Sequence, residues 1–326
     1  MSEPKSWKEW ERDLIELEEA LAKLNELADR ATGEDRKRLD GKIKEFSGRR
    51  DKYIDATYRK LSPWQKVLVA RAEPRPYTLD YVGALFSDFI ELQGDRRFGM
   101  DNAIIGGPAS FEGKPVMILG HQKGRNIMDR QHRNFAMSKP EGYRKAIRLV
   151  EMAGRFGLPI ISFIDTPAAD PGVESESRGI SEAIAASMLA MFEVKVPIVS
   201  VVIGEGGSGG AIGIGIANRV LMMEHAVYSV IPPEGCAAIL WRAPEKGAEA
   251  ASALRLTAKS ALELGLVDEI VKEPFGGAHR RATEAAQLVR DAIVGAFSSM
   301  EGQSGEDLKR DRYDKFRAMG KFNVVP

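Results

Sequence analysis

Pro197-Ile-Val-Ser-Val-Val-Ile-Gly-Glu-Gly-Gly-Ser-Gly-Gly210 is the stretch on which the fold of this chain turns. Its first half is a short, almost wholly apolar run opened by proline. Such a run suits a strand buried on both faces of a mainly parallel sheet. Its second half is a glycine loop placed to open a helix. Two other segments share the first half's design, Pro115-Val-Met-Ile-Leu-Gly120 and Pro159-Ile-Ile-Ser-Phe-Ile-Asp165. The three starts lie roughly 40 residues apart, a period consistent with an internal repeat.

Helices fit between these strands. Ser138-Lys-Pro-Glu141 offers a capping box with an early proline, and Gly157 a stop. Ile180, Ile184, Met188 and Met191 mark one face of a second helix, and Arg219–Met223 reads as a further strand. Residues 248–300 are Ala-rich and read as helical. The polar tail, 301–326, is expected to dock on a partner or stay mobile. Upstream, residues 6–60 read as a helical hairpin. Ser6 and Glu9 have capping-box spacing. Trp7, Trp10, Leu14, Leu17, Leu21, Leu24 and Ala28 form a heptad seam. Gly33 ends it, and a second seam follows at Leu39, Ile43, Phe46 and Tyr53. A hairpin packed on its own domain or on a partner satisfies that pattern. A Pro-rich join, Glu73-Pro-Arg-Pro-Tyr77, follows. The expected division is 1–72 helical hairpin region, 73–300 α/β domain and 301–326 tail.

Composition narrows the function. The chain has 326 residues, 44% hydrophobic and 29% charged, with formal net charge +0. No global field favours nucleic acid or an anionic membrane. One cysteine, Cys236, rules out an intramolecular disulfide, and with four scattered histidines it argues against a self-contained zinc site. The charged N-terminus lacks an apolar signal core, and no apolar run reaches about 18 residues. A cytoplasmic protein without a membrane span is expected.

Parallel α/β architectures gather ligands at the loops after the strands. Those loops are His121-Gln-Lys-Gly-Arg125, Asp165-Thr-Pro-Ala-Ala-Asp-Pro-Gly172 and Gly204-Glu-Gly-Gly-Ser-Gly-Gly210. The last admits three readings. Gly204-x-Gly206-x-x-Gly209, with Glu224 beyond the next strand, matches a dinucleotide fingerprint; but such fingerprints usually sit in the first βα unit, and at least two strand units precede this one. Gly206-x-Ser208-x-Gly210 matches a hydrolase nucleophile elbow, with His279 as the base; a glycine-crowded loop also produces that match by composition. The third reading uses backbone alone. Adjacent amides at a helix start, those of Gly206 and Gly207, make an oxyanion hole.

Taken together, further stretches resemble the alpha-subunit family of acetyl-CoA carboxylase carboxyltransferases over almost the whole chain. They are Tyr77-Thr-Leu-Asp-Tyr81, Glu91-Leu-Gln-Gly-Asp-Arg96, Gly120-His-Gln-Lys-Gly-Arg125, Pro140-Glu-Gly-Tyr-Arg-Lys145, Phe163-Ile-Asp-Thr-Pro167, Gly204-Glu-Gly-Gly-Ser-Gly-Gly-Ala211, Tyr228-Ser-Val-Ile231, Pro233-Glu-Gly-Cys236 and Gly276-Gly-Ala-His279. The resemblance implies a crotonase-like spiral of repeated ββα units and a subunit that moves a carboxyl group from carboxybiotin to acetyl-CoA, giving malonyl-CoA. It implies a beta-type partner in an α2β2 core that carries the zinc, a biotin carboxyl carrier protein and a biotin carboxylase. By resemblance, the Gly206 and Gly207 amides hold the biotin oxygen.

The same resemblance makes Lys123, Arg125, Arg133, Ala168, Asp170, Gly172, Ser208 and Gly235 the substrate-binding candidates. Lys123 and Arg125 read equally as solvated charge, and the Arg130/Arg133 cluster equally as structural. Asp165 reads as a loop cap rather than an acid, Cys236 as a small buried hydrophobe rather than a thiolate, and His279 as ordering the start of the last helix. The family pattern Gly-Ala-Tyr-Pro-Gly stands here as Ala168-Ala-Asp-Pro-Gly172, and Asn-Phe-Gly-Met as Asn134-Phe-Ala-Met137. A related carboxyltransferase or decarboxylase for another acyl-CoA therefore stays open. Asp170 is expected to turn towards a cation such as Arg178, or to solvent, leaving a more open pocket.

Overall fold

The computed structural model describes residues 4–320. An antiparallel hairpin starts the sheet, β1 (Ile104–Phe111) and β2 (Lys114–His121). Its two-residue turn, Glu112-Gly113, holds both residues at positive φ, 50° and 73°, as a tight hairpin turn that follows strand twist requires. Then come β3 (Ile160–Thr166), β4 (Ile198–Gly207), β5 (Arg219–Met223), β6 (Val227–Ser229) and β7 (Glu269–Val271). The order is β1-β2-β3-β4-β5-β7, parallel beyond β2, with β6 pairing β4. The three proline-opened runs are thus the central strands. β3 and β4 are buried along their whole length, because helices cover both faces.

β4 changes neighbours along its length. Val199–Val202 run beside Arg219–Met222 of β5, whereas Glu205–Gly207 run beside Val227–Ser229 of β6. The glycine loop is therefore the bent end of a strand.

Fifteen α-helices surround this sheet among the described residues: α1 (Trp7–Trp10), α2 (Arg12–Arg30), α3 (Gly33–Tyr58), α4 (Pro63–Ala70), α5 (Thr78–Leu85), α6 (Ile127–His132), α7 (Pro140–Phe156), α8 (Val173–Ser177), α9 (Ile180–Glu193), α10 (Ser208–Ile212), α11 (Pro233–Trp241), α12 (Gly247–Ala253), α13 (Ala258–Glu263), α14 (Ala282–Ser298) and α15 (Gly305–Arg317). α2 and α3 form the N-terminal hairpin. Leu14, Leu21 and Ala28 bury the first seam; on α3 only Ile54 is buried, and Leu39, Ile43, Phe46 and Tyr53 are half-buried. The hairpin's base is anchored by charge. Glu11, 1% exposed, accepts from Arg280 and Tyr58, and Arg280 also bonds Glu18 at 2.8 Å. Burial alone would raise the Glu11 pKa; His279 and Arg280 outweigh it and hold it at about 2.

Four local expectations differ. Ser138 does not cap α7, because its hydroxyl turns to Asp101; Asp101 collects the amides of Ala103, Ile104 and Lys139 and ties β1 to α7. Ser6 caps α1, but Glu9 returns its carboxylate to the Lys5 amide, so only half of that box forms. The segment 248–300 contains β7 as well as helices. The polar tail is a docked helix over Gly305–Arg317; residues 321–326 lie outside the described residues. Arg312 of α15, fully buried, donates to the carbonyls of Val194 and Val196 and to Asn218. A heptad or apolar count misses such a contact, since an arginine carries it.

Candidate functional site

The C-terminal ends of β2, β3 and β4 open on one cleft of about 210 Å3, whose walls include Arg71, Tyr77, Lys123, Arg130, Pro167 and Glu205. Lys123 follows β2, Pro167 follows β3, and Glu205 lies in the bent end of β4. Arg71, Tyr77 and Arg130 arrive from the helical segments around them. The glycine pair Gly206-Gly207 lies next door, lining a narrower pocket with Arg71, Pro167, Ser229 and Ile231.

A chain of charges forms the cleft floor. Lys123 Nζ sits 2.7 Å from Asp165 Oδ1 and 3.0 Å from Glu205 Oε2. Arg71 Nε meets Glu205 Oε1 at 2.7 Å, and its other nitrogens hold Glu234. Burial works against every charge here. For Glu205 the nearby Lys123 and Arg71 win, holding its carboxyl down to about 2. Burial would likewise lower Lys123, yet Asp165 and Glu205 push it above its ordinary value. Burial raises Asp165, against the pull of Lys123 and the Glu205 amide.

The Glu205 shift has a pH consequence. A folded pKa of about 2 against an ordinary 4.5 contributes stability that is complete above pH 4.5 and lost as pH falls towards 2. Urea titrations at pH 5 and pH 3 should show a smaller stability difference for Glu205→Gln than for wild type. An equal difference would refute the assignment.

The glycines serve close packing. A Cβ at Gly207 would overlap the Pro167 carbonyl, and one at Gly210 would lie 2.5 Å from the Ala168 carbonyl carbon. A Cβ at Gly206 would stand 2.8 Å from the Tyr228 ring. Gly206 is in register with Thr166 on one side and Tyr228 on the other, and Gly207 with Ser229. The sheet therefore fixes this backbone. α10, which Gly207 caps, has only five residues and adds little dipole.

Other sequence candidates divide. Lys123 lies in the cleft but is held by Asp165 and Glu205. Arg125 stacks 3.9 Å over the Tyr77 ring and binds the carbonyls of Glu73 and Arg75 and the Asp80 carboxylate; it staples the Pro-rich join. Arg133 donates to the Asn102 carbonyl at 3.1 Å. Asp170 departs from expectation. Arg178 pairs instead with Glu141 at 2.8 Å, and Asp170 accepts from Asn134 at 2.9 Å and from Ser175. Burial pushes the Asp170 carboxyl up, but those bonds prevail and lower it. Neither Ala168 nor Asp170 lines the cleft. Gly172 caps α8, and Gly235 lies inside α11. Ser208 adopts φ 51° and lines a separate, apolar cavity of about 450 Å3. Cys236 is buried, as expected.

The competing loop readings lose their geometry. A dinucleotide fold needs a long crossover helix after the glycines, and α10 is one short turn. Glu224 accepts from Lys272 and the Glu273 amide. His279 is engaged by Tyr58, Glu11 and Arg280 at the hairpin base. Sequence reasoning missed Arg71, Tyr77 and Glu205 as cleft residues. Glu205 was visible in the middle of the loop; Arg71 was not, because it comes from the segment assigned to the hairpin region. Among the described residues, no His, Cys, Asp or Glu cluster could hold a metal ion, and no helix is long and apolar enough to cross a membrane.

The chain is similar to known proteins along almost its whole length. The family model described as acetyl co-enzyme A carboxylase carboxyltransferase-like matches residues 7–320. The acetyl-coenzyme A carboxylase carboxyl transferase subunit alpha of Geobacter metallireducens is 50% identical over 314 residues, 96% of this chain and 97% of that one. The Thermus thermophilus subunit of the same name is 50% identical over 96% of this chain and 98% of its own. Among solved structures, a Pseudomonas malonate decarboxylase hetero-tetramer in complex with coenzyme A superposes with TM-score 0.58 at 18% identity, covering 72% of this chain and 91% of that one. Transcarboxylase 12S with hydrolysed methylmalonyl-coenzyme A superposes at 0.56 and 20% identity, over 71% of this chain and 42% of that one. At such identities these likenesses speak for fold alone, a crotonase-like α/β fold with a mostly parallel sheet. Matched almost end to end by the family model and by alpha subunits at half identity, the chain belongs to the acetyl-CoA carboxylase carboxyltransferase alpha-subunit family.

Proposed function

We propose that this chain is the alpha-type half of a carboxyltransferase moving a carboxyl group from carboxybiotin, carried on a biotin carrier protein, to acetyl-CoA. The observation that carries the reading is the near full-length identity to subunits of that name. The cleft's chemistry supports it. Carboxybiotin, as substrate, supplies the carboxyl group. The Gly206 and Gly207 amides hold the oxygen on which negative charge grows, and the sheet keeps them aimed before the reaction starts. Loss of one such donor costs about 3–4 kcal/mol of transition-state stabilisation. Tyr77, Phe135 and Pro167 offer apolar faces to a planar ring. Glu205 and Asp165, paired with cations, are not free to act as bases. The proton of the acetyl methyl goes to the biotin nitrogen that gives up the carboxyl group, whose ureido anion is the base, and the resulting enolate takes the carboxyl carbon.

A complete site then needs a second oxyanion hole and a CoA surface. We assign these to a beta-type partner that also carries the zinc, with a biotin carrier protein and a biotin carboxylase completing the system in the cytoplasm. Co-purification with that partner should yield a zinc-containing complex that forms malonyl-CoA from acetyl-CoA and carboxylated carrier. The chain alone should form none. Malonyl-CoA production by the isolated chain would sink the proposal.

A further inference from the structure

One carboxylate sits where β4 changes neighbours. Against β3, Ile164 pairs with Val202 but Thr166 pairs with Gly206, so residues 203–205 oppose Asp165 alone. A bulge of this kind disrupts the ladder and bends the strand. Here a side chain replaces the missing contact. Asp165 Oδ1 accepts the Glu205 amide at 2.9 Å. It also lies so close to Gly204 that a Cβ there would overlap it. Lys123 Nζ meets the same oxygen at 2.7 Å. Asp165 is 1% exposed, and a buried carboxylate is costly unless paired and hydrogen-bonded. The residues that follow the bulge are Gly206 and Gly207.

We propose that Asp165 is a positioning residue of the carboxyl-transfer reaction: its carboxylate, wedged in the bulge, aims the Gly206 and Gly207 amides. The inference rests on the reading of those amides as an oxyanion hole. Asp165 acts through the backbone and moves no proton. Lys123 neutralises the wedge and Gly204 leaves room for it. This distinguishes it from an acid or base, for which asparagine is as damaging as alanine. A positioning group needs only an acceptor and its volume, and asparagine supplies both.

The test uses the chain assembled with its beta-type partner. Asp165→Asn should keep kcat within about tenfold of wild type, whereas Asp165→Ala should lower it at least about 100-fold, the range for a lost oxyanion-hole donor. KM for acetyl-CoA should stay within about twofold, because uniform binding is untouched. Gly204→Ala, which displaces the carboxylate without altering charge, should match Asp165→Ala. The double variant should be no worse than Asp165→Ala, because the vacated space admits the methyl. In the free chain labelled with 15N-glycine, the Gly206 and Gly207 amide resonances should move in both alanine variants and hold in Asp165→Asn. If Asp165→Ala does not fold, Gly204→Ala carries the comparison. Equal inactivity of Asp165→Asn and Asp165→Ala would overturn the proposal, as would unmoved glycine amides. A wild-type assembly that transfers no carboxyl group, with amides responding as described, would sink the functional reading and leave the positioning role standing.

Discussion

Glu273→Leu should destabilise the chain by about 3–5 kcal/mol, the range for stripping one partner from a buried ion pair. Arg75 and Glu273 are paired at 2.6 Å with side chains 1% and 0% exposed. Arg75 Nε also donates to the Ile203 carbonyl at 2.6 Å, just before the bend in β4. Burial would raise the Glu273 pKa, but Arg75 and His225 hold it well below the carboxylate range. Without the carboxylate, an uncompensated guanidinium stays in the core. The melting temperature should fall on the order of 10 °C. Adding Arg75→Met removes the stranded charge and should recover part of the loss. Recovery stays incomplete because the Ala278 and His225 amides, 2.8 and 2.9 Å from Glu273, lose their acceptor, at about 1–3 kcal/mol each. Calorimetry of the two variants checks the order: wild type, then double, then single. A single variant as stable as wild type would show the pair to be dispensable.

Gly206→Ala and Gly207→Ala should separate catalysis from folding, although the residues are adjacent. At Gly206 the new methyl meets the edge of the Tyr228 ring at 2.8 Å, and a side chain can yield. The fold should survive; the N–H is kept but pushed off its aim as the methyl makes room, so carboxyl transfer in the assembled enzyme should drop by up to about 100-fold, the lower bound for a donor lost outright. At Gly207 the methyl meets the backbone carbonyl of Pro167, which cannot move without dragging β3's end. That variant should lose both stability and transfer. Thermal melts and transfer rates on the same preparations decide it; a Gly207→Ala chain that melts like wild type would contradict the close approach. Ser208→Ala should retain substantial transfer, since its hydroxyl has no assigned role.

The central strands were legible because apolar runs opened by proline admit few other structures. β1 escaped, since Gly106-Gly107-Pro108 interrupts its apolar pattern; the glycines are there because a Cβ at Gly107 would overlap the Ile90 carbonyl. β6 and β7, three residues each, are too short to carry periodicity. In the site, glycine spacing located the loop. It said nothing of the Asp165 wedge, because a three-against-one register shift leaves no trace in composition. Lys123, Arg125 and Asp170 were found as chemistry-bearing residues, yet Asp165, Glu205, Asp80 and Asn134, which engage them, lie well away in sequence. Pairing of charges is a property of the folded chain, and only the presence of the charges is a property of the sequence.

Arg312 carries a consequence for synthesis. Its guanidinium satisfies the carbonyls of Val194 and Val196 and meets Asn218, which itself donates to the Leu308 carbonyl. A nascent chain has the seven strands of the described residues in hand once Val271 leaves the ribosome, but the starts of β4 and β5 lack these donors until α15 emerges. At about 5–20 residues per second, that interval lasts on the order of a few seconds. During it, the carbonyls of Val194 and Val196 have no guanidinium to accept from, so the last helix made closes the edge that the earlier strands leave open.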